Sequence, residues 1–120
     1  MKIIYSKQAK DQLYQIKEFI SLDGKKIAVQ HLFKIKQKLE ILTAYPYIGT
    51  INPTMNSHNI RDYSVFGYKV IYKINSKSIA ILAIYKNINF DEEILKNEDW
   101  KITRYKAQGI RQISLKALTP

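Results

Sequence analysis

The sequence predicts an α+β fold in which one strand and two helices precede three consecutive strands. Apolar residues recur at helical spacing from about residue 7 to residue 45, whereas alternating and β-branched patterns fill residues 59–86. A chain of 120 residues with 46% hydrophobic residues has room for one folded core. We therefore expect a single α+β domain.

The N-terminal segment predicts a short strand followed by an amphipathic helix. "KIIY" at residues 2–5 has the β-branched content of a strand, and Ser6 is suited to be a helix N-cap. Apolar residues then recur at helical spacing, namely Ala9, Leu13, Ile16 and Ile20. Phe19 is expected to widen this apolar stripe. Gly24 should end the helix, because glycine tolerates the left-handed conformation.

A second helix is predicted from about Lys25 to Tyr45. Its apolar positions step by four and three residues and form one stripe: Ala28, Leu32, Ile35, Leu39 and Leu42. Pro46 halts the helix, and residues 45–59 are a loop by composition, with two prolines, one glycine and several asparagines. The two helices should form a hairpin.

Three strands are predicted next, at residues 59–65, 67–74 and 78–86. In the middle one, Tyr68 and Tyr72 share a face, and Lys69 lies on the other. The last is apolar on both faces, so it should lie inside the sheet and be covered on both sides. A short helix opening on Asp91 follows. We expect a domain of residues 1–97 and an extension, 98–120, to which the sequence assigns no role.

The net charge is +10, and fourteen of the twenty basic residues against five of the ten acidic ones lie in residues 1–90. Such a field attracts polyanions and acidic proteins without choosing between them. The chain has no cysteine, which excludes disulfides and thiolate metal sites. It has no run that resembles a signal peptide or is long enough to span a membrane, so we expect a cytoplasmic protein that does not act at a membrane. We also expect no metal and no cofactor.

Five motifs follow one another along the chain. They are "AKDQLYQIKEFI" in the first helix, Ala28 at the start of the second, "LEILTAYPYIG" with Pro46 and Gly49, Arg61 in a strand, and "GYKVIYKI" with Tyr68 and Tyr72. In this order and spacing they resemble the RelE/ParE toxin superfamily over roughly residues 3 to 88. The first helix, the long second helix and Pro-x-x-Gly look more like its ParE-like branch. Gln12, Lys69 and Tyr85-Lys86 depart from the family's usual acid, arginine and histidine.

The resemblance implies the toxin of a type II toxin–antitoxin pair. Such toxins place a helical hairpin against a twisted antiparallel sheet, here of three to four strands, with a short C-terminal helix or tail. A cognate antitoxin, acidic and partly disordered when free, holds them silent. An acidic partner explains a charge of +10 as well as RNA does. The residues that bind the antitoxin are not assigned.

The superfamily contains two activities, and they require different residues at the site. A ParE-like toxin inhibits DNA gyrase and needs no catalytic set. A RelE-like toxin is an endoribonuclease that cuts mRNA on the ribosome by attack of a 2′-OH on the adjacent phosphate. Whether this chain is an enzyme depends on that choice, and we favour the ParE-like activity.

The residues that match family positions are the candidate site. For target or nucleic-acid contact they are Arg61, Lys69 and Lys86; a nuclease would add Tyr85 and His58. With an ordinary pKa of about 10, neither tyrosine nor lysine is a ready base. Arg61 has an equally simple structural role, bridging the sheet to the loop. His31, between apolar positions of the second helix, is expected to be structural.

A third interpretation stays open at this point. The substitutions at Lys69 and at Tyr85-Lys86 also fit an inactive basic binding module of the same fold. Toxicity on induced expression, rescued by the product of a neighbouring small gene, would separate it from either toxin.

Overall fold

The computed structural model describes residues 1–86 and 90–97, and it shows helices packed on one face of a five-stranded sheet. The elements are β1 (Lys2–Tyr5), α1 (Lys7–Ile20), a 3₁₀ turn (Ser21–Asp23), α2 (Lys25–Leu39), α3 (Ile41–Ala44), β2 (Thr50–Ile51), β3 (Ile60–Val65), β4 (Tyr68–Ile74), β5 (Ser78–Tyr85) and a second 3₁₀ turn (Glu92–Asn97). The predicted α+β class is confirmed. The 98–120 extension lies outside the described residues.

The sheet has the strand order β1-β5-β4-β3-β2 and is mixed. Strands β2 to β5 pair antiparallel with their neighbours, and β1 pairs parallel with β5. The sheet is thus wider than the three to four antiparallel strands predicted. Two short strands account for the difference: β1 is too distant in sequence from β5 for a turn to set its direction, and β2 is two residues inside a proline- and asparagine-rich loop.

Helix α1 begins at the predicted N-cap. The Ser6 hydroxyl oxygen accepts a hydrogen bond from the Ala9 N–H at 3.0 Å, which satisfies one of the free N–H groups of the first turn. Ala9 and Leu13 are buried, but the stripe is only half-buried further along, at Ile16. The Phe19 side chain is 74% exposed, so its predicted place in the core is wrong. It lies about 90° around the helix from the stripe's centre.

The predicted second helix is two helices with a break between them. Helix α2 ends at Leu39, and α3 covers the last turn before Pro46. The predicted apolar stripe is confirmed, since Ala28, Ile35, Leu39 and Leu42 are buried and Leu32 is half-buried. The helices of the described chain are all too short or too polar to cross a membrane.

The core has two layers, one on each face of the sheet. Val70 and Tyr72 of β4 pack against the helices, whereas Ile71 belongs to a second cluster on the other face. Six consecutive residues of β5 are buried, which confirms that this strand is covered on both sides. The second face is closed by the Glu92–Asn97 turn (the 92–97 turn), through the buried Leu95.

A bulge in β5 shifts its side chains between the two faces. Tyr72 pairs with Ile81 and the preceding Ile71 pairs with Ala83, so Leu82 is the extra residue. Strand β1 ends opposite Ile81, which leaves the next backbone groups of β5 without a strand partner on that side. The Ser6 hydroxyl donates to the Leu82 carbonyl at 2.9 Å. The buried Gln12 side-chain oxygen accepts from the Ile84 N–H at 2.7 Å.

Candidate functional site

Strand pairing places Arg61 and Lys69 on opposite faces of the sheet. Arg61 pairs with Tyr72, and Lys69 pairs with Ser64. Directly paired residues share a face and neighbours along a strand alternate, so positions 61 and 64 of β3 point in opposite directions. Arg61 therefore shares the face of Tyr72, towards the helices. Lys69 lies on the face covered by the 92–97 turn.

The Arg61 guanidinium donates to carbonyl groups of the preceding loop. Its Nη1 donates to the Gly49 oxygen at 2.9 Å and to the Tyr47 oxygen at 3.4 Å, and its Nε donates to the His58 oxygen at 3.0 Å. The guanidinium carbon also lies 4.9 Å from the centre of the Tyr47 ring. Arg61 thus ties residues 47, 49 and 58 to β3.

Tyr72 and Gly49 complete this loop anchor. The Tyr72 hydroxyl donates to the Pro46 oxygen at 2.6 Å and accepts from the Gly49 N–H at 3.1 Å. A Cβ atom at Gly49 would lie 2.3 Å from the Asp62 carbonyl oxygen, so only glycine allows the loop to approach β3 this closely. Burial raises the pKa of Tyr72, which keeps the hydroxyl proton available to Pro46.

His58 belongs to the Arg61 side of the site. Its Nδ1 lies 3.3 Å from Arg61 Nη2, and its ring centre lies 5.2 Å from that of Tyr47. His31 packs elsewhere, with its ring centre 5.9 Å from those of Phe66 and Tyr68.

Lys69 is at the centre of a polar cluster on the other face. Its ammonium lies 2.6 Å from Glu92 Oε2 and 3.5 Å from Asp62 Oδ2. The Tyr85 hydroxyl donates to the same Glu92 oxygen. The fully buried Asn52 donates to Asp62 Oδ1 at 2.7 Å and to Glu92 Oε1 at 3.1 Å, so one side-chain amide holds both carboxylates. Glu92 is therefore the residue that connects the 92–97 turn to the sheet.

The pKa values of this cluster follow from its hydrogen bonds. Burial alone would raise the pKa of Glu92, but hydrogen bonds from Lys69, Tyr85 and Asn52 outweigh it and hold the pKa at about 2. Burial, reinforced by the hydrogen bond to Glu92, raises the pKa of Tyr85 to about 12. Burial opposes the charge on Lys69, yet Glu92 and Asp62 raise its pKa overall. At neutral pH the cluster is an ion pair with a protonated phenol.

Lys86 is exposed at the end of β5, with its ammonium 4.7 Å from the centre of the Tyr68 ring. It lines an open cleft together with Lys69 and Tyr85. Three acidic side chains line the same cleft: Asp91, Glu92 and Glu93. The cleft therefore holds more carboxylates than cations, a poor environment for a phosphate.

Sequence reasoning found the cations of the site and missed their partners. Asp62 lies next to the predicted site residue Arg61, and Asn52 lies inside a predicted loop. Neither belongs to a motif. Glu92 lies in the short helix predicted from Asp91 and belongs to no motif. Within residues 1–86 and 90–97, no group of three or more His, Asp and Glu side chains is placed to hold a metal ion.

A family model described as "ParE toxin of type II toxin-antitoxin system, parDE" matches residues 3–87. This chain belongs to the ParE toxin family. Of the solved structures, one titled "Chromosomal ParDE TA system from P. aeruginosa" is similar with a TM-score of 0.59 and 18% identity, over 71% of this chain and 94% of that chain. Curated protein sequences contain no significant match.

The ParE toxin match covers all of the residues around Arg61 but only part of the polar cluster around Lys69. Arg61 and the residues that it contacts, Tyr47, Gly49 and His58, all lie inside the matched residues 3–87. In the Lys69 cluster, Lys69 and Tyr85 lie inside the match, whereas Glu92 lies beyond it. The carboxylate that neutralises Lys69 thus comes from a part of the chain that the family model does not include.

Proposed function

We propose that this ParE-family toxin inhibits DNA gyrase as a binding protein, without cleaving nucleic acid, and that a cognate antitoxin neutralises it. The observation that carries the proposal is the division of Arg61 and Lys69 between the two faces of the sheet.

A nuclease mechanism needs its groups around one phosphate. Attack by a 2′-OH requires a base, an acid and cations that reach the same phosphorane. Here Arg61 with His58 and Lys69 with Tyr85 are on opposite sides of β3 and β4. With a pKa of about 12, the Tyr85 hydroxyl also stays protonated at neutral pH and cannot accept the proton of the 2′-OH. This arrangement favours a toxin that acts by binding.

The antitoxin part of the proposal rests on the family and on charge. An acidic, partly disordered antitoxin segment is drawn to a toxin whose residues 1–90 hold fourteen basic and five acidic groups. Folding onto the toxin would order that segment at the moment of binding. We therefore expect the association rate to fall steeply as salt is added.

Two reactions with purified protein test the target. One follows supercoiling of a relaxed plasmid by gyrase, and the other follows translation of a defined mRNA in a reconstituted system. We expect inhibited supercoiling and intact mRNA. Codon-linked cleavage of the mRNA would instead establish the RelE-like activity, and no effect in either reaction would favour the inactive binding module.

The predicted target contacts stay a proposal, and Lys86 is the most direct one to test. It is exposed, whereas Arg61 and Lys69 are engaged with the loop and with Glu92. We expect Lys86→Ala to weaken gyrase inhibition, with Lys77→Ala as a control of equal charge at another exposed site. Equal potency of the two variants would remove Lys86 from the proposed contact surface.

A further inference from the structure

The loop of residues 45–51 (the 45–51 loop) presents large apolar side chains to solvent. Tyr45, Tyr47, Ile48 and Ile51 are between 45% and 62% exposed. They lie on one short turn, in which the Ile48 N–H donates to the Tyr45 oxygen at 3.1 Å and Ile51 pairs with Arg61. Four exposed, large apolar side chains thus lie within seven consecutive residues.

This apolar loop is held in one shape from beneath. Arg61 holds the carbonyls of Tyr47 and Gly49, and the Tyr72 hydroxyl bridges the Pro46 oxygen and the Gly49 N–H. These contacts order the backbone while the apolar side chains remain outside the core. A surface ordered in advance loses little conformational entropy when a partner covers it.

The same region is free of charge. Residues 41–60 contain no lysine, arginine, aspartate or glutamate, in a chain with a net charge of +10. The next charged residue, Arg61, directs its guanidinium to the loop's own carbonyls. The 45–51 loop therefore has no charged side chain of its own, and the cation beside it, Arg61, is bound to its carbonyl groups.

We propose that the 45–51 loop is the surface through which the toxin binds its protein target, and that the target offers an uncharged, apolar recess for it. This inference rests on the proposed function, since it assigns the target contact of that toxin. Tyrosine supplies large contact area at low entropic cost and is enriched among the residues that dominate binding energy.

Charge distinguishes the proposed protein target from the antitoxin and from nucleic acid as a ligand of the 45–51 loop. Carboxylates of an acidic antitoxin would lose their hydration on the 45–51 loop, where the nearby cation Arg61 is already engaged with the carbonyls of Tyr47, Gly49 and His58. They find lysines on α2, where Lys34, Lys36 and Lys38 are exposed. Nucleic acid likewise finds no lysine or arginine for its phosphates within the 45–51 loop, and phosphate contacts dominate its affinity. The loop suits a neutral protein surface.

The test uses the full-length chain with Tyr45→Ser and Ile48→Ser combined, which preserves charge. The matched control is Phe19→Ser with Leu22→Ser, which removes even more exposed apolar side chains at the tip of the helical hairpin. Growth arrest on induced expression is measured for both, because it reports target binding whatever the target is. Thermal unfolding checks that both variants fold, and co-purification with the antitoxin checks the other interface.

We expect the loop variant to lose about ten-fold or more in potency while it still folds and binds antitoxin, and the hairpin control to remain toxic. Full toxicity of the loop variant overturns the inference, as does an equal loss in the control. Loss of antitoxin binding by the loop variant would assign the loop to the antitoxin. Dissociation of a wild-type dimer by the same changes would assign it to self-association.

The inference and the proposed function fail separately in these measurements. If the wild type arrests growth but does not inhibit purified gyrase, the gyrase proposal fails, and the loop variant still decides whether the loop binds the target. If the wild type arrests no growth, both are overturned.

Discussion

At the scale of single residues, the Glu92 carboxylate joins three other side chains of the site. It accepts hydrogen bonds from Lys69, Tyr85 and Asn52, and these hold its pKa at about 2. Because the folded pKa lies below the ordinary value of 4.5, ionised Glu92 stabilises the fold above that pH. This contribution is lost as the pH falls from about 4.5 towards 2.

We predict that Glu92→Gln lowers the free energy of unfolding by about 2 kcal/mol at neutral pH, because Lys69 loses its nearest counter-charge. The difference from the wild type should shrink as the pH falls below 4.5. Chemical denaturation across that pH range measures it. Glu93→Gln changes the same charge on the same turn at an exposed position and should cost much less. A constant difference at all pH values would contradict the assigned pKa.

The candidate site shows which properties of single residues can be predicted from the sequence. Family position selects Arg61, Lys69, Tyr85 and Lys86 as candidates, and His58 is added as the histidine near the site in sequence. It could not separate them by face or find their partners, because Asn52 and Glu92 approach Lys69 from segments 17 or more residues away in sequence. Such partners depend on how loops fold back, which no local pattern encodes.

At the level of elements, local patterns predicted the strands and helices well and their irregularities poorly. The apolar stripes of α1 and α2 and the faces of β4 were predicted from periodicity alone. The β5 bulge was not, because six buried residues in a row have no alternation from which a change of face could be detected. An indirect sign of the bulge lies in α1, where the polar residue Gln12 occupies a buried position and accepts from the Ile84 N–H of β5.

We predict that Gln12→Leu destabilises the fold by about 2 kcal/mol, because the buried Ile84 N–H then has no acceptor. Gln15→Leu makes the same change at an exposed position of α1 and should be close to neutral. Urea unfolding compares the two variants. In addition, amide exchange at Ile84 should become faster in the Gln12 variant. Similar stabilities for the two would show that the hydrogen bond contributes little.

For the whole molecule, the two-sided sheet is the feature that determines stability. The helices cover one face, and the 92–97 turn covers the other with Leu95 packed among Ile71 and Leu82. The order of elements predicted the helical layer. The apolar faces of the last strand predicted a cover on the second side as well, but not which segment supplies it, because a six-residue turn has too few residues to show a buried face.

We predict that Leu95→Ala lowers the free energy of unfolding by about 3 kcal/mol, the usual cost of a cavity at a buried leucine. Ile94→Ala, at the neighbouring exposed position, should cost far less. Thermal unfolding of the two variants provides the comparison. If both variants unfold at the wild-type temperature, the 92–97 turn does not contribute to the folded core.

The parallel pairing of β1 with β5 has a consequence for synthesis of the toxin. The ribosome makes residues 2–5 first, yet their partners, residues 78–81, emerge some 75 residues later. Until then the N-terminal strand has no neighbour, and the strand that joins it to the rest of the sheet does not exist. A polypeptide released before residue 78 lacks the strand on which both layers pack, so we expect such a fragment not to reach this fold.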